Sequence, residues 1–426
     1  MDEFIQVKEV PEHEGKEVKV RGWVYRQRAG KKMAFVLLRD SSGVVQCTFK
    51  EDAPGFKEAS TISVESSCMI TGIVSKDERA PGGFEIKASD IEVVHLAERF
   101  PITRDQSDEF LLDNRHLWLR SQKMTSVLKI RSTVFRAIDD FFRSRGYYEF
   151  QSPLFTPAAG EGGSTLFEVN YFGRKSYLTQ TWQLYAEAAI FALEKIYTIA
   201  PSFRAEKSST SRHLTEYWHA EMEVAWMRFK ELQVEAEELV SFICKRVAEE
   251  NEKELEILGR KKEDLLKITS PFPRMTYDEA LAKLKELGME VPYGKDLRTI
   301  EEKKLTELYE KPLIVTHYPK EIKAFYMKEA EEDKSKVLGF DMLVKGVGEI
   351  IGGSEREEDI KVLEKKLKEQ GEDVDKYKFY LDTRRYGSVP HSGFGLGIER
   401  VVMWVCGLDN IKEAIAFPRT PERDYP

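Results

Sequence analysis

Four arginines stand beside carboxylates where a strand or a helix is expected to begin or end. Arg204 closes "IAPSFR", with Glu206 two residues on and therefore on the same face of an extended chain. Arg212 and His213 lie in the polar stretch "KSSTSRHLTEY". Arg356 follows the glycine-containing run "GVGEIIGGSE", and Arg400 follows Gly393, Gly395 and Gly397. Asp341 and Glu349 sit on that run and on the strand before it. Arginine grips phosphate or carboxylate with a planar fork of donors. Magnesium takes one or two carboxylates together with phosphate oxygens. Glycines such as Gly352 and Gly353 let a flat ring or a phosphate approach the backbone. Together these are the parts of an ATP site built without a phosphate loop.

Other common chemistries lack their signatures. No G-x-x-x-x-G-K-[ST] loop occurs, and "GFGLGIE" has Ile398 where a dinucleotide fingerprint needs its third glycine. The seven histidines include no i,i+4 pair and no H-E-x-x-H, which argues against a zinc hydrolase. His317 and His391 have no forced role. Cys47, Cys68, Cys244 and Cys406 are scattered, so neither a disulfide scaffold nor a zinc knuckle is expected.

The elements that must position these groups follow from periodicity. Residues 16 to 95 hold five short strands with Gly and Ser turns, the pattern of a small five-stranded barrel of the oligonucleotide-binding (OB) type. At Lys123 the period changes. Val127, Ile130, Val134, Ile138 and Phe141 mark an amphipathic helix that Gly146 can end. "KIYTIAPSFRAE" and "WHAEMEVAWM" flank the polar stretch as a hairpin with a long tip. Residues 229–311 are charge-rich and mostly helical, expected to form a supporting insertion. Strands resume at "PLIVTHYP" and "GFDMLVKGVGEIIGGS", and "GLGIERVVMWVCG" supplies a last helix. The expectation is an α+β body with an antiparallel sheet behind an all-β N-terminal domain: an OB domain over 1–100, a connector over 101–122 and a catalytic domain over 123–426.

Composition narrows the class. The 426 residues are 41% hydrophobic and 33% charged, as in an ordinary globular protein. No run approaches the about 20 apolar residues of a membrane span, and the N-terminus lacks a signal pattern, so no membrane and a cytoplasmic location are expected. The net charge of -8 argues against a general nucleic-acid coat. Lys16 to Lys50 nevertheless hold nine basic residues against two acids, a local positive face suited to a selective polyanion.

The motifs carry a family resemblance across essentially the whole chain. "YYEFQSPLF" with its preceding helix, "FRAEKSSTSRHLTEYWHAEMEVAW" and "GFGLGIERVVMW" resemble motifs 1, 2 and 3 of the class II aminoacyl-tRNA synthetases. An OB domain ahead of them is similar to the subgroup for aspartate, asparagine and lysine. Within it, "QTWQLYAEA" has Ala186 where the aspartyl pattern "QSPQLYKQ" has a lysine, and Glu221 stands where that pattern has Asp. With "GVGEIIGGSEREE" and "VTHYPKEIKAFYM", the resemblance points to the asparaginyl branch, of archaeal-like type.

That resemblance implies ATP and Mg²⁺, L-asparagine and tRNA(Asn) as partners, and a homodimer built on motif 1. It implies Arg204 and Arg400 as catalytic arginines, the first bridging carboxylate and α-phosphate, the second holding the γ-phosphate. Arg204, Glu206, Arg212, His213, Leu214, Tyr217, Glu349, Gly397 and Arg400 would bind ATP, with Tyr217 stacked on adenine. Gln183, Glu187, Arg204, Glu221, Ser354 and Arg356 would bind the amino acid, and Asp341 and Glu349 the metal. Arg26, Arg28, Phe35 and Gln46 would meet the anticodon. Other readings fit the same motifs: an aspartyl-tRNA synthetase, strict or non-discriminating, a paralogue making free asparagine, and a catalytically inert RNA-binding protein.

Overall fold

The computed structural model describes residues 4–157, 160, 165–207 and 210–426. The chain divides into two compact units, Met1–Leu111 and Leu112–Pro426. The boundary falls inside the expected connector over 101–122. Arg115, within that stretch, is fully buried and donates to the carbonyl oxygens of Lys412, Ile415 and Ala416, which ties it to the second unit.

In the first unit, β1 (Glu17–Ala29), β2 (Met33–Arg39), β3 (Val44–Lys50), β4 (Ser67–Lys76) and β5 (Phe84–His95) close a barrel in the order β1-β2-β3-β5-β4. Alternation fills it: Val18, Val20, Val24, Ala34, Val36, Leu38, Cys47 and Ile70 point inward. Neighbouring rows of outward residues run Arg28–Phe35–Thr48 and Arg26–Leu37–Gln46–Glu85. The Arg28 guanidinium lies 4.5 Å from the Phe35 ring centre, and Gln46 donates to Glu85 at 3.2 Å. The four residues expected at an anticodon therefore share one outer face.

The second unit begins with the expected amphipathic helix, Gln122–Ser144. Ser121 caps it by accepting from the Met124 amide at 3.2 Å, and Gly146 follows at φ +79°. Val127, Ile130, Val134, Ile138 and Phe141 are all buried. After β6 (Tyr148–Glu149) a small sheet holds β7 (Phe155–Thr156), β8 (Glu168–Tyr171) and β9 (Arg174–Leu178). The main sheet adds β10 (Lys195–Phe203), β11 (Glu216–Ala225), β12 (Arg274–Thr276), β13 (Leu313–Thr316), β14 (Gly339–Val344), β15 (Gly348–Glu355) and β16 (His391–Gly397), in the order β12-β13-β14-β15-β16-β11-β10-β6. Its central pairs are antiparallel; β12 on β13 and β6 on β10 are parallel.

Residues 229–311 are not a detached insertion. The helix Phe229–Glu250 sends Leu232, Ala236, Leu239, Val240, Ile243 and Val247 into the same core as the sheet, and β12 is the sheet's edge strand. Apolar residues at helical spacing were hidden there among many charges. Among the described residues no helix is long and apolar enough to cross a membrane.

Candidate active site

Alternation sorts the two faces of the sheet. Met222, Phe340, Met342, Ile351, Phe394 and Leu396 point into the core. On the other face one ladder row runs Asp341–Gly352–Gly395–Glu221 across four strands, and the next runs Gly339–Ser354–Gly393–Glu223. Glycines thus form a floor between rows of carboxylates. A Cβ at Gly395 would meet His219 Nε2 at 2.7 Å, and one at Gly393 would overlap the Glu223 carboxylate. Gly353 differs from its neighbour: a side chain there would be driven into Phe340 and Phe394 at 2.6 and 2.7 Å. Gly352 opens the site, whereas Gly353 permits close packing beneath it.

Two cavities meet over this floor. The larger, about 580 Å³, is lined by Thr181, Gln183, Arg204, Glu221, Lys323, Asp341, Glu349 and Arg356 among others. The smaller, about 80 Å³, is lined by Arg204, Glu206, Arg212, His213, Leu214, Tyr217, Glu349, Gly397 and Arg400, every residue expected for the nucleotide. Arg204, His219, Glu349 and Gly395 line both.

At the shared wall, the Arg204 guanidinium lies 5.7 Å from the Tyr217 ring centre and 3.9 Å from Glu206. Arg400 donates to the Glu349 carbonyl at 2.8 Å and to its carboxylate at 3.2 Å. Arg212 is held by Glu302 at 2.6 Å and also by Thr299 and the Val347 carbonyl, so the helix Thr299–Thr306 buttresses the smaller cavity. Burial and the charges of Arg400, Arg212 and Arg204 hold His213 below the ordinary imidazole range, against the opposing pull of Glu206.

Asp341 and Glu349 converge beside Gly352, where a Cβ would lie 3.6 Å from Asp341 Oδ1 and 3.0 Å from Glu349 Oε1. Burial pushes the Asp341 carboxyl up to about 7 despite Lys323, 2.8 Å away, and the charge of Glu349 adds to the rise. Burial acts on Glu349 too, but Arg400, Lys323 and Arg204 bring it below its ordinary value. Two crowded carboxylates on a phosphate-sized cleft fit a hard divalent cation. By contrast Glu187, Glu223 and His391 place ligand atoms within 4.8 Å of one another, yet arginines already hold both carboxylates: Arg384 on Glu187 and Arg356 on Glu223. That cluster is an ion-pair network, not a metal centre.

The residues expected to bind the amino acid separate into two layers. Gln183, Arg204, Glu221 and Arg356 line the larger cavity; Glu187 and Ser354 are fully buried behind it. Arg356 spends its Nε and Nη2 on Glu223, both at 2.9 Å, and its Nη1 on Ser354 Oγ at 2.7 Å. Among the described residues this leaves one N–H on each terminal nitrogen for a ligand. Glu221 accepts from the Trp182 amide at 2.9 Å and from the Thr181 hydroxyl. Ala186 packs with Trp182, Ile190, Ile196 and Ala225 and does not line the cavity. Sequence reasoning missed Lys323, which lies within the quoted "VTHYPKEIKAFYM", and His219. The latter was findable, because His219, Glu221 and Glu223 alternate along one strand face.

Comparisons agree with this geometry. Residues 107–421 match the model for tRNA synthetases class II (D, K and N), and residues 18–94 match the OB-fold nucleic acid binding domain. The chain is 50% identical over 416 residues to the asparagine–tRNA ligase of Thermoplasma acidophilum, covering 97% of each chain. It is 49% identical to that of Thermococcus kodakarensis, over 98% of this chain and 97% of the relative. The asparaginyl-tRNA synthetase of Pyrococcus horikoshii complexed with asparaginyl-adenylate superimposes with a TM-score of 0.97 at 46% identity, over the full length of both.

Proposed function

From the premise that this chain belongs to the asparagine–tRNA ligases of the class II aminoacyl-tRNA synthetases, we propose that its two joined cavities are one adenylation site. The enzyme ligates L-asparagine to tRNA(Asn) in two steps. An asparagine carboxylate oxygen attacks the α-phosphorus of ATP, forming asparaginyl-adenylate as the bond to pyrophosphate breaks. A ribose hydroxyl of the tRNA 3′ end then attacks the acyl carbon and AMP leaves. The observation that carries the reading is that Arg204 lines both cavities.

At that wall Arg204 faces two anions that repel each other, the attacking carboxylate and the α-phosphate. It holds them in line and takes up charge that grows at the phosphorus. Tyr217 offers a ring to adenine, Glu206 an acceptor to its amino group, and Arg400 a fork to the γ-phosphate. Asp341 and Glu349 would hold Mg²⁺, which when bound neutralises phosphate charge. Gln183 lies at the α-amino end. The remaining N–H groups of Arg356 suit the side-chain oxygen of asparagine, and Glu221 suits its amide nitrogen, directly or through water.

The outer barrel face with Arg26, Arg28, Phe35 and Gln46 supports anticodon binding by stacking and charge. Exchange and charging measured side by side test both surfaces. ATP–pyrophosphate exchange should start on adding asparagine without tRNA and be unchanged in Phe35→Ala. Charging by that variant should show KM for tRNA(Asn) raised about tenfold, the loss of one stacking contact. No asparagine-dependent exchange would overturn the adenylation reading, and an unchanged charging KM the anticodon surface.

A homodimer is also proposed. Tyr148, Phe155, Tyr171 and Phe172 are exposed near the first motif, an apolar surface that suits a two-fold partner. Light scattering at micromolar concentration should give about twice the 49.2 kDa of one chain; a single-chain mass contradicts it.

A further inference from the structure

Behind the amino-acid pocket lies a closed charge network centred on Glu187, on the helix Gln183–Leu193. Its carboxylate, fully buried, accepts from Gln183 Nε2 at 2.8 Å, from the Tyr380 hydroxyl at 2.9 and 3.0 Å, and from Arg384. His391 Nε2 lies 2.9 Å from it and Arg356 Nε 4.0 Å. The other nitrogen of His391 faces the Val389 carbonyl at 2.8 Å. Burial raises the Glu187 carboxyl, but Arg384, His391 and Arg356 outweigh it and hold the group below the usual carboxylate range.

We propose that Glu187 sets the charge of this wall and thereby makes the pocket select an amide over an acid. The inference rests on the adenylation reading above. Around the side-chain end of the pocket, the guanidinium groups of Arg356 and Arg384 face three carboxylates, Glu187, Glu221 and Glu223. A wall without surplus fixed positive charge accepts the neutral amide of asparagine. An aspartate carboxylate would add one uncompensated charge in a desolvated place, which is costly. Losing the Glu187 charge makes the wall one unit less negative and lowers that cost for aspartate. Glu187 touches no substrate; it is a positioning residue that acts through Gln183 and Arg356.

The test is kcat/KM in ATP–pyrophosphate exchange for asparagine and aspartate, measured on the full-length chain. Glu187→Gln is expected to raise the aspartate-to-asparagine ratio at least about tenfold. The double variant Glu187→Gln/Arg384→Gln restores the wild-type charge balance and should bring the ratio back toward wild type. Glu187→Asp keeps the charge and should keep the ratio while slowing both substrates. A parallel loss with an unchanged ratio in Glu187→Gln, or a double variant no closer to wild type, overturns the proposal. Should Glu187→Gln not fold, Arg384→Gln carries the opposite prediction: aspartate should inhibit asparagine-dependent exchange at least about threefold more weakly, and equal or stronger inhibition overturns it. Wild-type protein inactive with asparagine would sink the adenylation reading itself, a separate outcome.

Discussion

Replacing Arg204 by alanine should slow asparagine-dependent ATP–pyrophosphate exchange by about 10³-fold, mostly in kcat. The guanidinium lines both cavities, close to Tyr217 and Glu206 and within the field of Glu349. On the proposed reading it meets two separate anions in the ground state. In the transition state those anions share a bond and charge accumulates between them, so the arginine binds that state more strongly. This is why the loss falls on kcat more than on KM. Arg204→Lys keeps a charge but loses the planar fork, and should recover only part of the rate. A fall of less than about tenfold in Arg204→Ala would remove Arg204 from the centre of the mechanism.

Arg356→Lys should raise KM for asparagine about 100-fold and leave KM for ATP unchanged. An ammonium cannot hold Glu223 in a fork, bond Ser354 and still offer two N–H groups to a ligand, all of which the guanidinium does at once. Stability should fall as well. Glu223 is buried, and burial already raises its carboxyl even with Arg356 in place. Removing a buried partner outright, as in Arg356→Ala, costs roughly 3–5 kcal/mol, because the remaining charge is left unpaired. Steady-state kinetics with each substrate varied in turn, together with a thermal melt, checks both parts. Equal rises in the two KM values would mean that Arg356 supports the sheet and does not grip the amino acid.

What could be read from the sequence depended on how local its cause was. The barrel strands and the helix from Gln122 were legible because alternation and a three-to-four spacing are local patterns. The residues expected for the nucleotide line one cavity because they cluster near the ends of β10, β11, β15 and β16, which lie close together in the sheet. Depth was not legible. Whether Glu187 and Ser354 line the pocket or stand behind it depends on the pairing of β15 with β16 and on the helix Lys378–Arg385, which are distant in sequence. The surroundings of Ala186 were hidden for the same reason: the alanine faces an apolar cluster, and its neighbour Glu187 carries the charge. The core role of Phe229–Glu250 was masked by its many charged residues.

The most direct measurement is ATP–pyrophosphate exchange by the purified wild-type chain, with asparagine and aspartate compared at saturating ATP. A wall that presents Glu221 and the last N–H groups of Arg356, without surplus fixed positive charge, should favour asparagine by at least about 100-fold in kcat/KM, as expected where the wrong ligand leaves a buried charge unpaired. Exchange supported by aspartate as well as by asparagine, or better, would contradict the account.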